Sequence, residues 1–216
     1  MFNLIGSGLI NSKKKAIITP SDPTVKALFH FDSDFSDVKG NTVNLIGSPT
    51  LSTAQSKFGG SSFYADPPYS HRIEIPSTEN LALGTENFIF EFFCYAVTTA
   101  QKNFNVLDTN NLSSDIFFYT RDNNISLFYG GTKITTPCPS GQQNYVALTR
   151  EGGLIKLYVN GVKASTDYNF GTGSLGTATK LTIGTTFGNN IYIDELRLSI
   201  GSIQTPTVVP TAPFPD

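Results

Sequence analysis

The stretch that decides the fold is Tyr145–Gly161, which reads YVALTREGGLIKLYVNG. It predicts two strands that turn at Glu151–Gly153 and end at Asn160–Gly161. An Asn-Gly pair supplies the two residues with positive φ that a type I′ hairpin turn requires. Side chains of a strand alternate between its faces, and the apolar residues of the second strand alternate in the same way, at Ile155, Leu157 and Val159. The stretch therefore predicts antiparallel β-sheet with one buried face.

The composition of the whole chain is typical of many short strands joined by turns. The 216 residues include 19 Gly, 12 Pro, 17 Phe and 9 Tyr, and a chain of this length can bury one sizeable core. Charged residues make up 15% of the chain, against about 25% in an ordinary soluble protein. The net charge of −2 gives no electrostatic basis for nucleic-acid binding, which needs a basic face.

The two ends of the chain differ from its middle. Residues 1–24 combine apolar residues with three lysines and a Pro-containing break, so they are either a flexible terminus or an apolar arm that docks onto a neighbouring protein. No basic region precedes the first apolar stretch, and no run reaches the ~20 apolar residues of a membrane span. We expect a protein made in a cytoplasm without a signal peptide. Residues 202–216 are a Pro-rich, extended tail.

Residues 25–201 predict strand after strand, divided by Gly, Asn, Ser or Pro clusters. A dozen short strands at this spacing favour one two-sheet sandwich over two domains. Only residues 77–83 suggest a short helical turn. The predicted strands are Val25–Phe31, Thr42–Ile46, Ser61–Ala65, Arg72–Ile75, Asn87–Val97, Phe104–Leu107, Asp115–Thr120, Ile125–Tyr129, Tyr145–Arg150, Leu154–Asn160, Leu181–Ile183 and Ile191–Ser199.

Five motifs in a fixed order carry a family resemblance. They are LFHFD at 28–32, KFGGSSF at 57–63, NFIFEFF at 87–93, VALTR with LYVNG at 146–161, and YIDELRLS at 192–199. Together they resemble the laminin G-like branch of the concanavalin A-like lectin/glucanase jelly rolls. The resemblance implies an all-β, two-sheet antiparallel sandwich over residues 25–201. Such modules are frequent in tail fibres and other virion proteins of bacteriophages, often with a short Pro-containing tail.

The chain departs from this family in its aromatic residues. Many members carry Trp-His before the VALTR strand, where this chain has Asn144 and Tyr145, and the chain contains no Trp. Because Trp is a common stacking platform for sugar rings, glycan binding would depend here on Tyr or Phe. The richest candidate surface is the loop with Tyr64, Tyr69, His71 and Arg72. The alternative is that these residues only pack the loop onto the sandwich.

Two aspartates suggest a structural calcium site. Strict alternation places Asp194 on the same face as Leu196 and Leu198, where a carboxylate is costly unless it is paired, hydrogen-bonded or bound to metal. The resemblance implies that the first and last strands pair, which would bring Asp32 towards Asp194. Two carboxylates with loop carbonyls suit Ca²⁺. In the alternative, Asp32 makes turn hydrogen bonds and Asp194 meets Arg150 or a backbone amide.

Enzymatic activity is not expected. Glycosidases of this fold class need two carboxylates beside one bond, and the Glu-x-Asp-x-x-Glu run that typically presents them does not occur. Asp194 and Glu195 are expected on opposite faces, which leaves Glu91 as the best single candidate. His30 and His71 are isolated in the sequence, and no Gly-x-Ser-x-Gly elbow occurs, so Ser/His nucleophilic catalysis has no support.

The chain contains two cysteines, Cys94 in an apolar strand and Cys138 in a loop. A lone cysteine in a strand usually acts as a small buried hydrophobe. The alternative is a disulfide between the two, and sequence alone gives no geometry with which to decide.

The function expected from these features is that of a non-enzymatic structural and adhesion component of a phage virion: a tail fibre, a tail-associated protein or a capsid decoration. The expected partners are other virion proteins, further copies of the same chain in a homo-oligomer, and host-surface glycan. The arm or the tail would attach the domain to the particle, and the loops of the sandwich would face outwards. The alternative is a free carbohydrate-binding lectin.

Overall fold

The computed structural model describes residues 22–65, 71–108, 116–177, 179–184, 190–201 and 204–216, with backbone only at 102–106 and 108. The predicted arm lies outside them, apart from residues 22–24. Strands dominate, with one 3₁₀ turn at Glu79–Leu81. The strands are β1 Val25–Phe29, β2 Asn44–Ile46, β3 Thr50–Ser52, β4 Ser62–Ala65, β5 Arg72–Thr78, β6 Phe88–Ala96, β7 Lys102–Asp108, β8 Ile116–Arg121, β9 Asn124–Phe128, β10 Thr132–Pro137, β11 Gln143–Glu151, β12 Leu154–Val159, β13 Val162–Lys163, β14 Tyr168–Asn169, β15 Thr179–Ile183 and β16 Ile191–Ile200.

The strands form two antiparallel sheets. The nine-stranded sheet has the order β13-β12-β11-β6-β16-β4-β3, with β1 also paired to β16 and β14 to β12. The seven-stranded sheet has the order β10-β9-β8-β7-β15-β5-β2. Side chains from the inner faces of both sheets form one core, which includes Phe90, Phe92, Phe118, Leu148 and Leu181. The predicted two-sheet sandwich is confirmed, and so is the pairing of the first and last strands.

The Asn-Gly hairpin forms as the sequence predicts. Asn160 and Gly161 have φ values of 51° and 79°, and β11 pairs with β12 from Val146↔Val159 to Glu151↔Leu154. The Asn160 side chain also accepts a hydrogen bond from the Tyr145 amide at 2.9 Å. Alternate residues Ile155, Leu157 and Val159 enter the core, as their spacing predicts.

The expected alternation along the last strand is wrong beyond Asp194. Glu195 has a φ of 48°, and the register between β16 and β6 shifts between Asp194 and Arg197. This β-bulge adds one residue and reverses which residues face the core. Leu196 and Leu198 therefore lie in the core with Ile191 and Ile193, whereas Asp194 lies on the outer face of the sheet.

The described part of the Pro-rich tail, residues 204–216, is called the C-terminal segment below. It contains no strand, as its prolines predict. Phe214 is only 5% exposed, and it packs with Val209 against the outer face of the nine-stranded sheet. The segment also passes close to the Asn-Gly hairpin. A Cβ on Gly161 would lie 2.5 Å from the carbonyl oxygen of Thr207, so only glycine allows the segment to pass.

Candidate functional site

The outer face of the nine-stranded sheet has three zones along strands β6 and β16. A groove of about 740 Å³ lies at one end, between the sheet and residues 204–210 of the C-terminal segment. The middle is covered by Phe214 and by Phe58. Tyr64, Tyr95 and Tyr192, called the tyrosine row below, lie at the other end.

The tyrosine row crosses three neighbouring strands. Tyr192 of β16 is directly opposite Tyr64 of β4 on one side and Tyr95 of β6 on the other. The rings of Tyr64 and Tyr192 stack with centroids 4.4 Å apart, and Tyr95 meets Tyr192 nearly at a right angle, with centroids 6.0 Å apart. The Tyr64 hydroxyl donates to Asn190 Oδ1 at 2.9 Å. All three tyrosines are half-buried, so part of each side chain remains accessible.

The structure separates the residues that were predicted to form one glycan-binding loop. Tyr64 belongs to the tyrosine row, on the outer face of the nine-stranded sheet. Arg72 lies on the outer face of the other sheet, because its neighbour Ile73 points into the core, and Arg72 Nε donates to Glu74 Oε1 at 2.7 Å. His71 is half-buried just before β5. Tyr69 lies outside the described residues.

A buried charge cluster forms the floor of the groove. Glu91, 2% exposed, accepts hydrogen bonds from Arg197 Nε at 2.9 Å and Nη2 at 2.7 Å. Its second oxygen accepts from the Tyr145 hydroxyl, and burial is the main cause that raises the pKa of Tyr145. Both oxygens of the best candidate for a catalytic carboxylate are thus occupied by neighbouring side chains. The arrangement is that of a buried ion pair.

The bulge residue Glu195 holds the C-terminal segment. Its Oε2 accepts from the Phe214 amide at 2.9 Å, and both its oxygens lie within 3.0 Å of His30 Nδ1. The other nitrogen of His30 is 3.0 Å from Asp216 Oδ1. Burial lowers the pKa of His30, but Asp216 and Glu195 together outweigh it and raise the pKa overall. The Arg197 guanidinium lies 4.0 Å from the centre of the Phe214 ring.

Asp194 and Asp32 both face the loop that precedes β4. Asp194 accepts hydrogen bonds from the amides of Lys57 at 2.5 Å, Phe58 at 3.1 Å and Glu195 at 3.0 Å. Burial nevertheless raises the pKa of Asp194 to about 6. The Asp32 carboxylate lies so close to the Cα of Gly59 that a Cβ there would be 1.5 Å from Asp32 Oδ1.

These contacts agree with the alternative in which Asp194 meets backbone amides. Arg150 does not reach Asp194; it donates to the carbonyl oxygens of Gly84, Gly171 and Gly173. Within the part of the chain that the structure describes, no group of three or more His, Cys, Asp or Glu side chains could hold a metal ion. Calcium at Asp32 and Asp194 stays a prediction.

The family of the chain follows from comparison with family models. A laminin G-type model, described as that of the concanavalin A-like lectin/glucanases superfamily, matches residues 69–205. The chain belongs to this superfamily. The predicted family resemblance is therefore confirmed. No curated protein matches the chain.

Solved structures similar to this superfamily member include domains of bacterial toxins. The receptor-binding domain of botulinum neurotoxin C/D mosaic serotype has a TM-score of 0.64 and 13% identity, and covers 84% of this chain and 49% of its own. The binding domain of Paraclostridial Mosquitocidal Protein 1 has a TM-score of 0.68 and 12% identity, and the match covers 84% of this chain and 50% of that domain. The receptor-binding domain of botulinum neurotoxin D has a TM-score of 0.64 and 12% identity, and the match covers 85% of this chain and 50% of that domain. The chain thus spans about half the length of these domains, and identities this low show a shared fold alone.

Most of the residues that shape the outer face of the nine-stranded sheet were not predicted from the sequence. Tyr95 and Tyr192 lie beside Tyr64 because of the register in which their strands pair. The signal available in the sequence was the alternation along each strand, which places these tyrosines on the outer face. The contact of His30 with Glu195 joins residues 165 positions apart and depends on the bulge. Among the residues that the structure describes, no helix is long and apolar enough to cross a membrane.

Proposed function

We propose that the chain is a non-enzymatic structural and adhesion component of a phage virion that contacts host-surface glycan through the tyrosine row. The tyrosine row is the observation that carries the glycan contact. Aromatic rings offer apolar faces and edges to a sugar ring, while tyrosine hydroxyls add hydrogen bonds. Asn190, held by the Tyr64 hydroxyl, places an amide beside them.

Three further observations support a binding role over catalysis. The similar solved structures are titled as receptor-binding or binding domains, although the superfamily also includes glucanases. Glu91 is occupied by Arg197 and Tyr145, so it is not free to transfer a proton. Asp194 is likewise occupied by three amides. Other virion proteins and further copies of the chain are the proposed partners, and the virion is the proposed location.

A glycan array of bacterial surface polysaccharides, probed with the full chain, tests the proposed contact. We expect Tyr192→Ala and Tyr95→Ala to weaken binding about tenfold, the equivalent of one lost aromatic contact. Tyr119→Ala is the matched control, because Tyr119 is also half-buried but lies on the seven-stranded sheet. Equal binding by all three folded variants would contradict a role for the tyrosine row.

Immunogold labelling of purified phage particles tests the virion role separately. Labelled particles would support a virion component and show whether it belongs to the tail or the head. Glycan binding by a chain that is absent from particles would favour the alternative of a free lectin. Deleting residues 1–20 should leave a folded domain that no longer joins the particle; continued incorporation would exclude the arm as the attachment.

Calcium at Asp32 and Asp194 is part of the proposal as a structural ion. Millimolar Ca²⁺ should then raise the thermal midpoint of the full chain, because a ligand that binds only the folded state stabilises it. The Asp32→Asn variant should lose this shift. The same midpoint in Ca²⁺ and in chelator would rule the ion out.

A further inference from the structure

The two cysteines of the chain meet inside the core, although they come from different sheets. Cys94 belongs to β6 of the nine-stranded sheet, and Cys138 directly follows β10 at one edge of the seven-stranded sheet. Their exposed fractions are 1% and 2%, and both belong to the same core cluster. The side chain of Cys138 is the neighbour that most affects the pKa of the Cys94 thiol, so the two side chains lie next to each other. Both are free thiols.

Backbone contacts hold the Cys138 loop against the end of β6. The Cys138 amide donates to the Asn123 carbonyl at 2.8 Å, and the Gly141 amide donates to the Ala96 carbonyl at 2.8 Å. Asn144 is the β11 partner of Cys94 in the sheet, and its side-chain amide donates to the Pro139 carbonyl at 2.8 Å. The loop is therefore fixed on both sides of the thiol pair. Its position does not depend on the sulfur contact alone.

We propose that Cys94 and Cys138 are a dithiol site that a small-molecule disulfide, such as glutathione disulfide, converts into a cross-sheet disulfide. The Cys138 thiol loses its proton, and the thiolate attacks one sulfur of glutathione disulfide. A mixed disulfide forms, and one glutathione thiolate leaves and takes up a proton. Cys94 then loses its proton and displaces the second glutathione. One sulfur–sulfur bond joins the two cysteines, and two electrons have passed to the oxidant, which leaves as two glutathione thiols.

The surroundings of the thiols make this reaction slow in the folded chain. The thiolate is the reactive form, and the hydrogen bond to Cys138, followed by burial, raises the pKa of the Cys94 thiol. Oxidant can reach Cys138 only when the loop after β10 opens, since the thiol is buried. The chain therefore keeps free thiols under reducing conditions and becomes cross-linked after long exposure to an oxidising medium. This inference is independent of the proposed function.

The cross-link would join the edge of one sheet to a central strand of the other. It closes a long loop of chain, and such closure stabilises mainly by restricting the unfolded state. It also ties down β10, which has a neighbour in its sheet only on the β9 side. We therefore expect the oxidised chain to unfold at a higher temperature than the reduced chain.

The experiment incubates the full chain with glutathione disulfide at pH 8.5 and maps its peptides by mass spectrometry without reduction. We expect a peptide pair joined through Cys94 and Cys138, and a thermal midpoint higher by about 5 °C or more. The Cys138→Ala variant is the control, and its midpoint should not respond to the oxidant. Refolding the wild-type chain in a glutathione redox buffer gives the same test without dependence on slow opening.

Two results would overturn the proposal. One is a refolded chain that carries separate glutathione adducts on both cysteines, or two free thiols, instead of the cross-link. The other is a cross-linked chain whose midpoint equals or falls below that of the reduced chain, since native geometry would then oppose the bond. Iodoacetamide labelling adds a kinetic measure: rapid labelling of both thiols in the native chain would contradict their burial.

Discussion

The outer faces of the two sheets differ in whether they bury charged side chains. The nine-stranded sheet buries Glu91, Asp194 and Glu195 on or beside its outer face, each with at most 2% exposure. On the outer face of the seven-stranded sheet, the buried polar residues among those described are Ser126 and Thr182, which carry hydroxyl groups instead of charges. Burying a carboxylate is costly unless every oxygen has a partner. The C-terminal segment covers the outer face of the nine-stranded sheet, and the carboxylates beneath it are therefore held in a network of hydrogen bonds.

The outer face of the seven-stranded sheet relies on simpler contacts. Phe117 and Phe128 stack across β8 and β9 with centroids 4.5 Å apart. Tyr119 and Thr132 share a hydroxyl–hydroxyl hydrogen bond of 2.8 Å. These residues are half-buried or exposed. The comparison indicates that the charges of the nine-stranded sheet attach the C-terminal segment and stabilise the fold, while the half-buried tyrosine row lies beyond Phe214 at the other end of the same face.

Removing Arg197 should produce the largest effect, because it leaves the Glu91 carboxylate buried without its cationic partner. We expect Arg197→Met to lower the free energy of unfolding by about 3 kcal/mol, measured by urea denaturation. Arg121→Met is the matched control. Arg121 pairs with Asp122 at 3.3 Å, but its side chain is 64% exposed, so the change should be near zero. Equal losses in the two variants would refute the comparison of the two faces.

Truncating Phe214 tests whether the C-terminal segment stabilises the domain. Phe214→Ala removes an aromatic ring from the cluster with Ile89 and Phe93, and should cost about 2.5 kcal/mol of unfolding free energy. Val208→Ala is the control in the same segment, because Val208 is 78% exposed. A Phe214→Ala variant as stable as the wild type would show that the segment contributes no stability.

The buried carboxylates predict an unusual pH dependence. The pKa of Asp194 is raised from 3.8 to about 6, so between these pH values the unfolded chain has released a proton that the folded chain still holds. Stability should therefore fall by about 2 kcal/mol as pH rises from 4 to 6. Burial raises the pKa of Glu195 in the same direction. Asp194→Asn should flatten this part of the profile, and an unchanged slope would contradict the shift.

Local sequence pattern predicted the sandwich because hairpins and alternating strands are local features. The NFIFEFF and VALTR strands formed where they were expected, and the core took their alternate residues. The Glu195 bulge could not be predicted, since nothing in the residue itself favours a φ of 48°. This one bulge places Asp194 on the face opposite to that of Leu196 and Leu198. Strand β10 was also missed, because its Lys and Thr residues lack apolar alternation.

The candidate site was less predictable, since it depends on which strands become neighbours. Tyr64 was recognised as a loop aromatic, but its partners Tyr95 and Tyr192 come from strands distant in sequence. Arg72 was grouped with Tyr64 because the two are close in the chain. They lie on different sheets. Proximity in sequence across a change of sheet is therefore a poor guide to a shared surface.

The smallest predicted effect concerns the hairpin and the segment that crosses it. Gly161→Ala should cost about 1 kcal/mol more than Gly152→Ala in urea denaturation. Both glycines have positive φ, 79° and 55°, so both variants carry the backbone strain of alanine in that region. Only at Gly161 would the new methyl meet a backbone oxygen, that of Thr207, whereas the space around Gly152 is open. The difference between the variants isolates the contact with the C-terminal segment. Equal costs would mean that the segment moves aside freely, and the covered face would then be held by Phe214, Arg197 and Glu195 without help from the hairpin.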